Sequence, residues 1–338
     1  MENSFGIFSG KYLFTKLVAE TRNKPYTSTL ATIRKKMKSL LEIKFRTTLF
    51  VFAALLFQIV GCKQVSENSD LTENSIKANF HHIHLNVRDR DSTISYYKKY
   101  FGATQVKYRD QVDALFTEKS FLLMNIVDNK PSTHLGSSLW HIGWSGLDGQ
   151  SEFDWRVKEG IEIHTPITPL GDNYWMYFLG PEKEVIEVYT GNKNHRFEHI
   201  HLLSTDVDKT MDWFESNLGL IPVYEKAKQW QNNKLRWKWN LLTVNNINII
   251  VFGKPVEEEL WWPKEKIKPT DGSAIDHISF SYENIEPVMD KMRSAGLDIV
   301  QDIKIDPIYG MKSFFVRGLD NLLVEIVEEK PIPEGIWR

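Results

Sequence analysis

Apolar and polar positions along the chain recur in one order: an extended apolar run, a stretch with helical spacing, then three short apolar runs. The first round opens at Phe80-His81-His82-Ile83-His84-Leu85, and the phrase returns as Phe197-Glu198-His199-Ile200-His201-Leu202. Asp89, Asp91, Tyr97 and Gly102 also recur, 117 positions later, as Asp206, Asp208, Phe214 and Gly219. Self-similarity of this length marks a duplicated unit. The spacing predicts a strand over 80–87 and a helix over 90–101 capped by Asp91 or Ser92 and stopped by Gly102. Strands near 104–109, 113–117 and 121–127 complete a βαβββ module.

The plan repeats three times. After a linker at 131–137 come a strand at 139–144 with His141, a helix at 150–159, and strands near 162–164, 174–179 and 184–190. The third module has its helix at 207–217 and strands near 221–227, 235–244 and 247–252. An insertion at 254–273, rich in charge and containing Trp261 and Trp262, leads to the fourth. That one has a strand at 275–281 with His277, a helix at 284–294, and strands near 298–303, 312–317 and 321–328. The histidines of the repeated phrase stand two apart, so both imidazoles leave one face of their strand.

The first 61 residues are different in kind. They hold 10 Lys+Arg against 3 Asp+Glu; the remainder holds 32 against 41, a net charge of −9. So acidic a remainder lacks the basic footprint of a nucleic-acid binder. Residues 47–60 form an apolar run of 14 behind a basic stretch, short for a membrane span of about 20 residues. The run ends Ile59-Val60-Gly61-Cys62, and Cys62 is the single cysteine of the chain, which excludes an intramolecular disulfide. This end resembles the lipobox of bacterial lipoproteins. The resemblance implies a signal peptide within 1–61, lipidation of Cys62, and a polar tether over 62–78 that holds the folded part off the membrane of a bacterial cell envelope. Lys63 after the cysteine leans that expectation toward the outer membrane, facing the periplasm. Met37 is an alternative start that gives a signal of ordinary length.

Four βαβββ modules make an α+β chain, and here a resemblance enters. The modules, with the helix phrase Tyr96-Tyr97-x4-Phe101-Gly102 answered by Trp213-Phe214-x3-Leu218-Gly219, are similar to the vicinal oxygen chelate superfamily. It includes glyoxalase I, bleomycin- and fosfomycin-resistance proteins and type I extradiol dioxygenases. The resemblance implies that modules join in pairs around one metal. Paired in chain order they form domains at 79–192 and 196–330; whether modules pair within one chain or across a homodimer stays open. It further implies ligands on the first strand of each module and the last strand of the second. Those are His82, His141 and Glu187 in the first domain, and His199, His277 and Glu325 in the second. Both glutamates lie inside apolar strands, where a carboxylate costs several kcal/mol without a cation or other partner.

Two His and one carboxylate leave about three of six positions open, the pattern of non-heme Fe(II) oxygenases. Glyoxalase-type sites take a fourth ligand from the last strand of the first module, and neither 121–127 nor 247–252 carries a carboxylate. The expectation is therefore a dioxygenase-like enzyme using a divalent metal, Fe(II) before Mn(II) or Zn(II), on a small molecule that chelates through vicinal oxygens. A glyoxalase- or epimerase-like lyase or isomerase is the alternative, and a metal-free binding or resistance protein a third reading. The extradiol pattern is partly met. Tyr177 stands ten before Glu187 and Pro181 is kept, but Phe315 replaces the tyrosine in the second set. His84, His201 and Tyr177 are the candidates for acid/base work. The tryptophans at 230, 237, 239, 261 and 262 are candidates for a pocket wall.

Overall fold

The computed structural model describes residues 78–332 except 194, 233–234, 246 and 257–261. The signal segment, Cys62, the tether up to residue 77, and Trp261 lie outside the described residues. Among those described, no helix is long and apolar enough to cross a membrane.

Each module folds in the predicted order of strand, helix and three strands. Module one is β1 (Asn79–Val87), α1 (Arg90–Phe101), β2 (Thr104–Tyr108), β3 (Val112–Phe116) and β4 (Phe121–Ile126). Module two is β5 (Leu139–Ser145), α2 (Gly149–Lys158), β6 (Glu162–Leu170), β7 (Asn173–Leu179) and β8 (Val185–Tyr189). Module three is β9 (Arg196–Ser204), α3 (Val207–Leu218), β10 (Lys228–Asn232), β11 (Leu235–Val244) and β12 (Ile247–Gly253). Module four is β13 (Ile275–Tyr282), α4 (Glu286–Ser294), β14 (Ile299–Ile305), β15 (Lys312–Arg317) and β16 (Leu323–Glu328).

Two of the residues that recur 117 positions apart are helix caps. Asp89, rather than Asp91 or Ser92, accepts the Ser92 N–H (3.1 Å), and Asp206 accepts that of Lys209 (3.2 Å). Gly102 and Gly219 end the helices at φ 65° and 69°, where a glycine has no Cβ penalty. One predicted strand is displaced: 221–227 is irregular and β10 starts at Lys228. Pro222 offers no N–H to a ladder, whereas Trp230 pairs with Trp237 across the β10–β11 hairpin, rings stacked at 4.1 Å.

The modules do not pair in chain order. The first sheet runs β14-β15-β16-β13-β1-β4-β3-β2, joining module one to module four. The second runs β10-β11-β12-β9-β5-β8-β7-β6, joining module two to module three. Neither sheet corresponds to 79–192 or 196–330, and both pairings lie within one chain. The linkers that cross between sheets travel together. Ser132 donates its N–H to Gly272 O (3.1 Å), Ala274 to Ser132 O (3.0 Å), and Lys268 to Gly136 O (2.9 Å). One apolar core serves both sheets: Phe80 of the first lies 6.2 Å from Phe197 of the second, which packs on Trp144 at 5.1 Å.

Candidate metal centres

The sheet pairing regroups the six expected ligands. His82 meets His277 and Glu325 in the first sheet; His141, Glu187 and His199 meet in the second. The sets expected from chain order, His82–His141–Glu187 and His199–His277–Glu325, are therefore each split between sheets. Each cluster also gains the second histidine of the repeated phrase. His82, His84, His277 and Glu325 offer donor atoms all within 4.8 Å of one another, as do His141, Glu187, His199 and His201. Thus His84 and His201 sit among the candidate ligands, not beside them.

The strand geometry explains the convergence. β1 and β13 run antiparallel with His84 opposite His277, and β5 and β9 with His141 opposite His201. The glutamates come from β16 and β8, which lie parallel to β13 and β5. In the first cluster Glu325 Oε2 lies 3.1 Å from His82 Nε2 and 3.3 Å from His277 Nε2. In the second, Glu187 Oε2 lies 2.7 Å from His141 Nε2, 3.0 Å from His199 Nε2 and 3.8 Å from His201 Nε2.

A β-bulge precedes the leading histidine of every module. The ladder skips at residue 81 in β1, 140 in β5, 198 in β9 and 276 in β13. A bulge adds one unpaired residue and re-aims its side chain. Three of the four bulged residues hydrogen-bond the histidine that follows them. Asp276 Oδ2 lies 2.7 Å from His277 Nδ1, Glu198 Oε2 lies 2.6 Å from His199 Nδ1, and His81 Nδ1 lies 2.8 Å from His82 Nδ1. Trp140 instead lies edge-on to His141 at 4.5 Å. These contacts occupy Nδ1 and turn Nε2 toward the cluster. The carboxylates are themselves fixed: Asn86 Nδ2 donates to Asp276 (2.8 Å), and Asn248 Nδ2 to Glu198 (2.9 Å). Strand alternation in the sequence gives no sign of these partners, because a bulge resets it.

Burial and charge act together at both centres. Burial pulls His82 and His84 down to about 4 and lowers His141 and His201. Burial would lower His199 too, but the Glu198 and Glu187 carboxylates outweigh it and raise it to about 10. Asp276 and Glu325 likewise overcome burial at His277 and raise it to about 9. Glu187 and Glu325 are driven the opposite way from their own burial, well below the usual carboxylate range, by the histidines around them. Neither ring nitrogen of His84 makes a hydrogen bond, and Nδ1 of His201 makes none; Asn125 adds a favourable side-chain interaction to His84 without hydrogen-bond geometry. Buried imidazole nitrogens without partners are costly. Donors about 2.1 Å from a shared ion would span about 4 Å, close to the span seen. Three imidazoles and a carboxylate therefore fit a divalent transition metal.

Tyr177 pairs with Glu187 across β7–β8, its ring 4.9 Å from His141, and Phe315 holds the same place at 5.0 Å from His277. Burial raises the Tyr177 phenol well above its usual range, so it stays protonated.

This fold, four βαβββ modules in two eight-stranded sheets, is the one found in glyoxalase I-like structures. No family model matches the sequence. It is 27% identical over 146 residues to glyoxylase I 4 of Arabidopsis thaliana, a match covering 42% of this chain and 77% of that protein. Glyoxalase I from Zea mays superposes with a TM-score of 0.56 at 14% identity, over 75% of this chain and 92% of the maize chain. A presumed dioxygenase from Bacillus subtilis superposes with a TM-score of 0.51 at 14% identity, over 75% and 86%.

Proposed function

We propose that the chain is a divalent-metal enzyme that binds a small molecule through two vicinal oxygens and moves a proton on it, a lyase- or isomerase-type reaction. The supporting observation is the donor count. With His84 and His201 among the donors, each cluster offers four protein atoms rather than three. A six-coordinate ion then has two positions left, enough for a bidentate ligand and none for O2 beside it. The ion would supply Lewis-acid polarisation of the bound oxygens. The chain's own part is to hold the donors, with Asp276, Glu198 and His81 fixing which imidazole nitrogen faces inward. Glu187 and Glu325 are the carboxylates among the donors, and the one in the cluster that receives substrate is the group placed to exchange a proton with it. Tyr177, protonated, can donate a hydrogen bond but cannot act as a base.

The dioxygenase-like reading keeps one observation in its favour. His201 is the loosest member of the second cluster, 3.8 Å from Glu187, and its departure would restore three open positions. Oxygen uptake during turnover separates the two readings. The metal reading itself is tested by metal analysis of the wild type, Glu187→Ala and Glu325→Ala after loading with Mn(II), Zn(II) or anaerobic Fe(II). We expect two ions per chain in the wild type and one in each variant; no bound metal in the wild type sinks the proposal. Anchoring through Cys62 is the remaining part of it, supported by the lipobox-like sequence, and Cys62→Ser should release the chain from membranes into the aqueous fraction.

A further inference from the structure

The surroundings of the two clusters are finished differently, although their donors come from corresponding strands. In the first sheet the surrounding space is filled by the protein. Leu123, opposite His84, and Val327, two residues beyond Glu325, share the ligands' face and are both 0% exposed. Tyr309 reaches in from the β14–β15 turn and is 1% exposed, its ring edge-on to His84 at 5.8 Å. Its hydroxyl donates to Met124 O (2.8 Å) and accepts from Met124 N (2.8 Å), so it spans from module four to β4 of module one. Arg109, in the β2–β3 turn, closes the same gap by contacting Gly310 O and Glu329. The outermost hairpins of the first sheet are thus tied to each other across the metal cluster.

In the second sheet the corresponding positions are Ile250 and Tyr189, and both are half-buried. Aromatic rings stand on either side of the cluster. Tyr177 and Trp175, 4.9 Å apart, form one wall on β7. Phe252, 4.7 Å from His201, and Trp237, 5.4 Å beyond it, form the other. All four are half-buried. Parity puts them on the metal side: Tyr177 opposes Glu187, Trp175 opposes Tyr189, and Trp239, two residues from Trp237, opposes Phe252.

From this difference we infer that the two clusters have different tasks. The second cluster is the substrate site, and its ligand is a flat aromatic molecule carrying two adjacent oxygens. The ring lies between the β7 and β11–β12 aromatics while the oxygens reach the metal. The first cluster is a closed site whose ion staples module one to module four. The inference rests on the metal reading above and adds to it which site works and on what class of ligand.

The test titrates 4-nitrocatechol, a coloured aromatic chelator, into the full chain loaded with Zn(II), which cannot oxidise it. Metal content is measured on the same samples. One equivalent of probe per chain is expected beside two ions. Glu187→Gln should abolish the visible shift and Glu325→Gln should preserve it. Trp237→Ala, on a hairpin outside the shared core, should weaken the probe about tenfold, which tests the slot even where a cluster variant does not fold. Tyr309→Ala should admit a second equivalent. Two ions with no probe bound, two probe equivalents in the wild type, or a probe site lost in Glu325→Gln and kept in Glu187→Gln each overturn the inference while leaving the metal reading standing. No metal in the wild type fails the metal reading itself.

Discussion

The first and second clusters are copies of one plan, and they differ where the plan leaves freedom. Both use a leading histidine from each of two antiparallel strands, a second histidine two residues on, and a glutamate from the strand beside. Behind them the copies diverge. In the first cluster the carboxylate-backed histidine is His277, on the fourth module, and His82 is backed by another imidazole. In the second it is His199, on the third module, while His141 has Trp140 and its Nδ1 makes no hydrogen bond. Each site thus keeps one carboxylate–histidine pair, but on non-equivalent strands. The bulge residue is the place where a duplicated site can change without losing its ligands, because the strand ladder leaves it unpaired.

The sharpest way to break the symmetry is at Gly143. It lies opposite His199 as Ser279 lies opposite His82. A Cβ at Gly143 would fall 2.0 Å from His199 Nε2, so the ring must leave its place. Gly143→Ala should therefore empty the second site and spare the first, halving the bound metal from two ions to one per chain. Retention of both ions would show that the His199 ring is not needed where it stands. Ser279→Gly, by contrast, should leave the metal count unchanged.

A second difference lies beneath the clusters. Three residues before Glu187 stands Glu184, 2% exposed; three before Glu325 stands Leu322. Glu184 accepts from the Tyr97 hydroxyl (2.8 Å) and the Glu182 N–H (2.9 Å), yet burial outweighs these bonds and raises it to about 7. The native state therefore keeps a proton that the unfolded chain gives up from its ordinary value of 4.5 upward. The contribution of Glu184 to stability is fully present below that value and is lost as pH rises toward about 7, by about 3 kcal/mol at most. Urea midpoints at pH 5 and pH 8, with chelator present, should show this fall in the wild type and a flatter profile in Glu184→Gln. An equal fall in both would clear Glu184 of the effect. Leu322, at the equivalent place in the first sheet, has nothing to titrate and makes no such contribution.

How much of this the sequence shows depends on the kind of signal. The modules are legible because period-two and helical spacing, with repeated Asp and Gly caps, are local. The six candidate ligand positions are legible because His82, His141, His199 and His277 lead their strands and the glutamates interrupt apolar ones. Which module faces which is not written in spacing: chain-order and crossed pairing satisfy the same strand patterns, and the crossed pairing comes with contacts between distant segments, 132–136 and 268–274, that no local pattern shows. The roles of His84 and His201 are half-legible. Their shared face with His82 and His199 is plain, but a family pattern of one histidine per strand pointed away from counting them as donors. The bulge partners at 81, 140, 198 and 276 are invisible to alternation, which assigns them to the opposite face.

Those partners give the finest test of the comparison. A carboxylate behind a ligating imidazole fixes its tautomer and raises its basicity, and its loss typically costs 10–100-fold in metal affinity. Glu198→Gln and Asp276→Asn keep size and one acceptor oxygen while removing the charge. Each should weaken one site by about that factor and leave the other alone: Glu198→Gln the second, Asp276→Asn the first. Chelator-competition curves resolve two ions of unequal affinity, and the Co(II) absorption of each site reports whether its ligand field has moved. His81→Gln should act on the first site alone and less strongly, because an uncharged imidazole polarises His82 less than a carboxylate does. If Glu198→Gln and Asp276→Asn weakened the same ion, or both ions equally, the crossed placement of the backed histidines would have no energetic meaning. If each acted on its own site, the copies would have reached similar ligand sets with their supporting charge on opposite halves, and the two ions would differ in affinity for a reason traceable to two bulge residues.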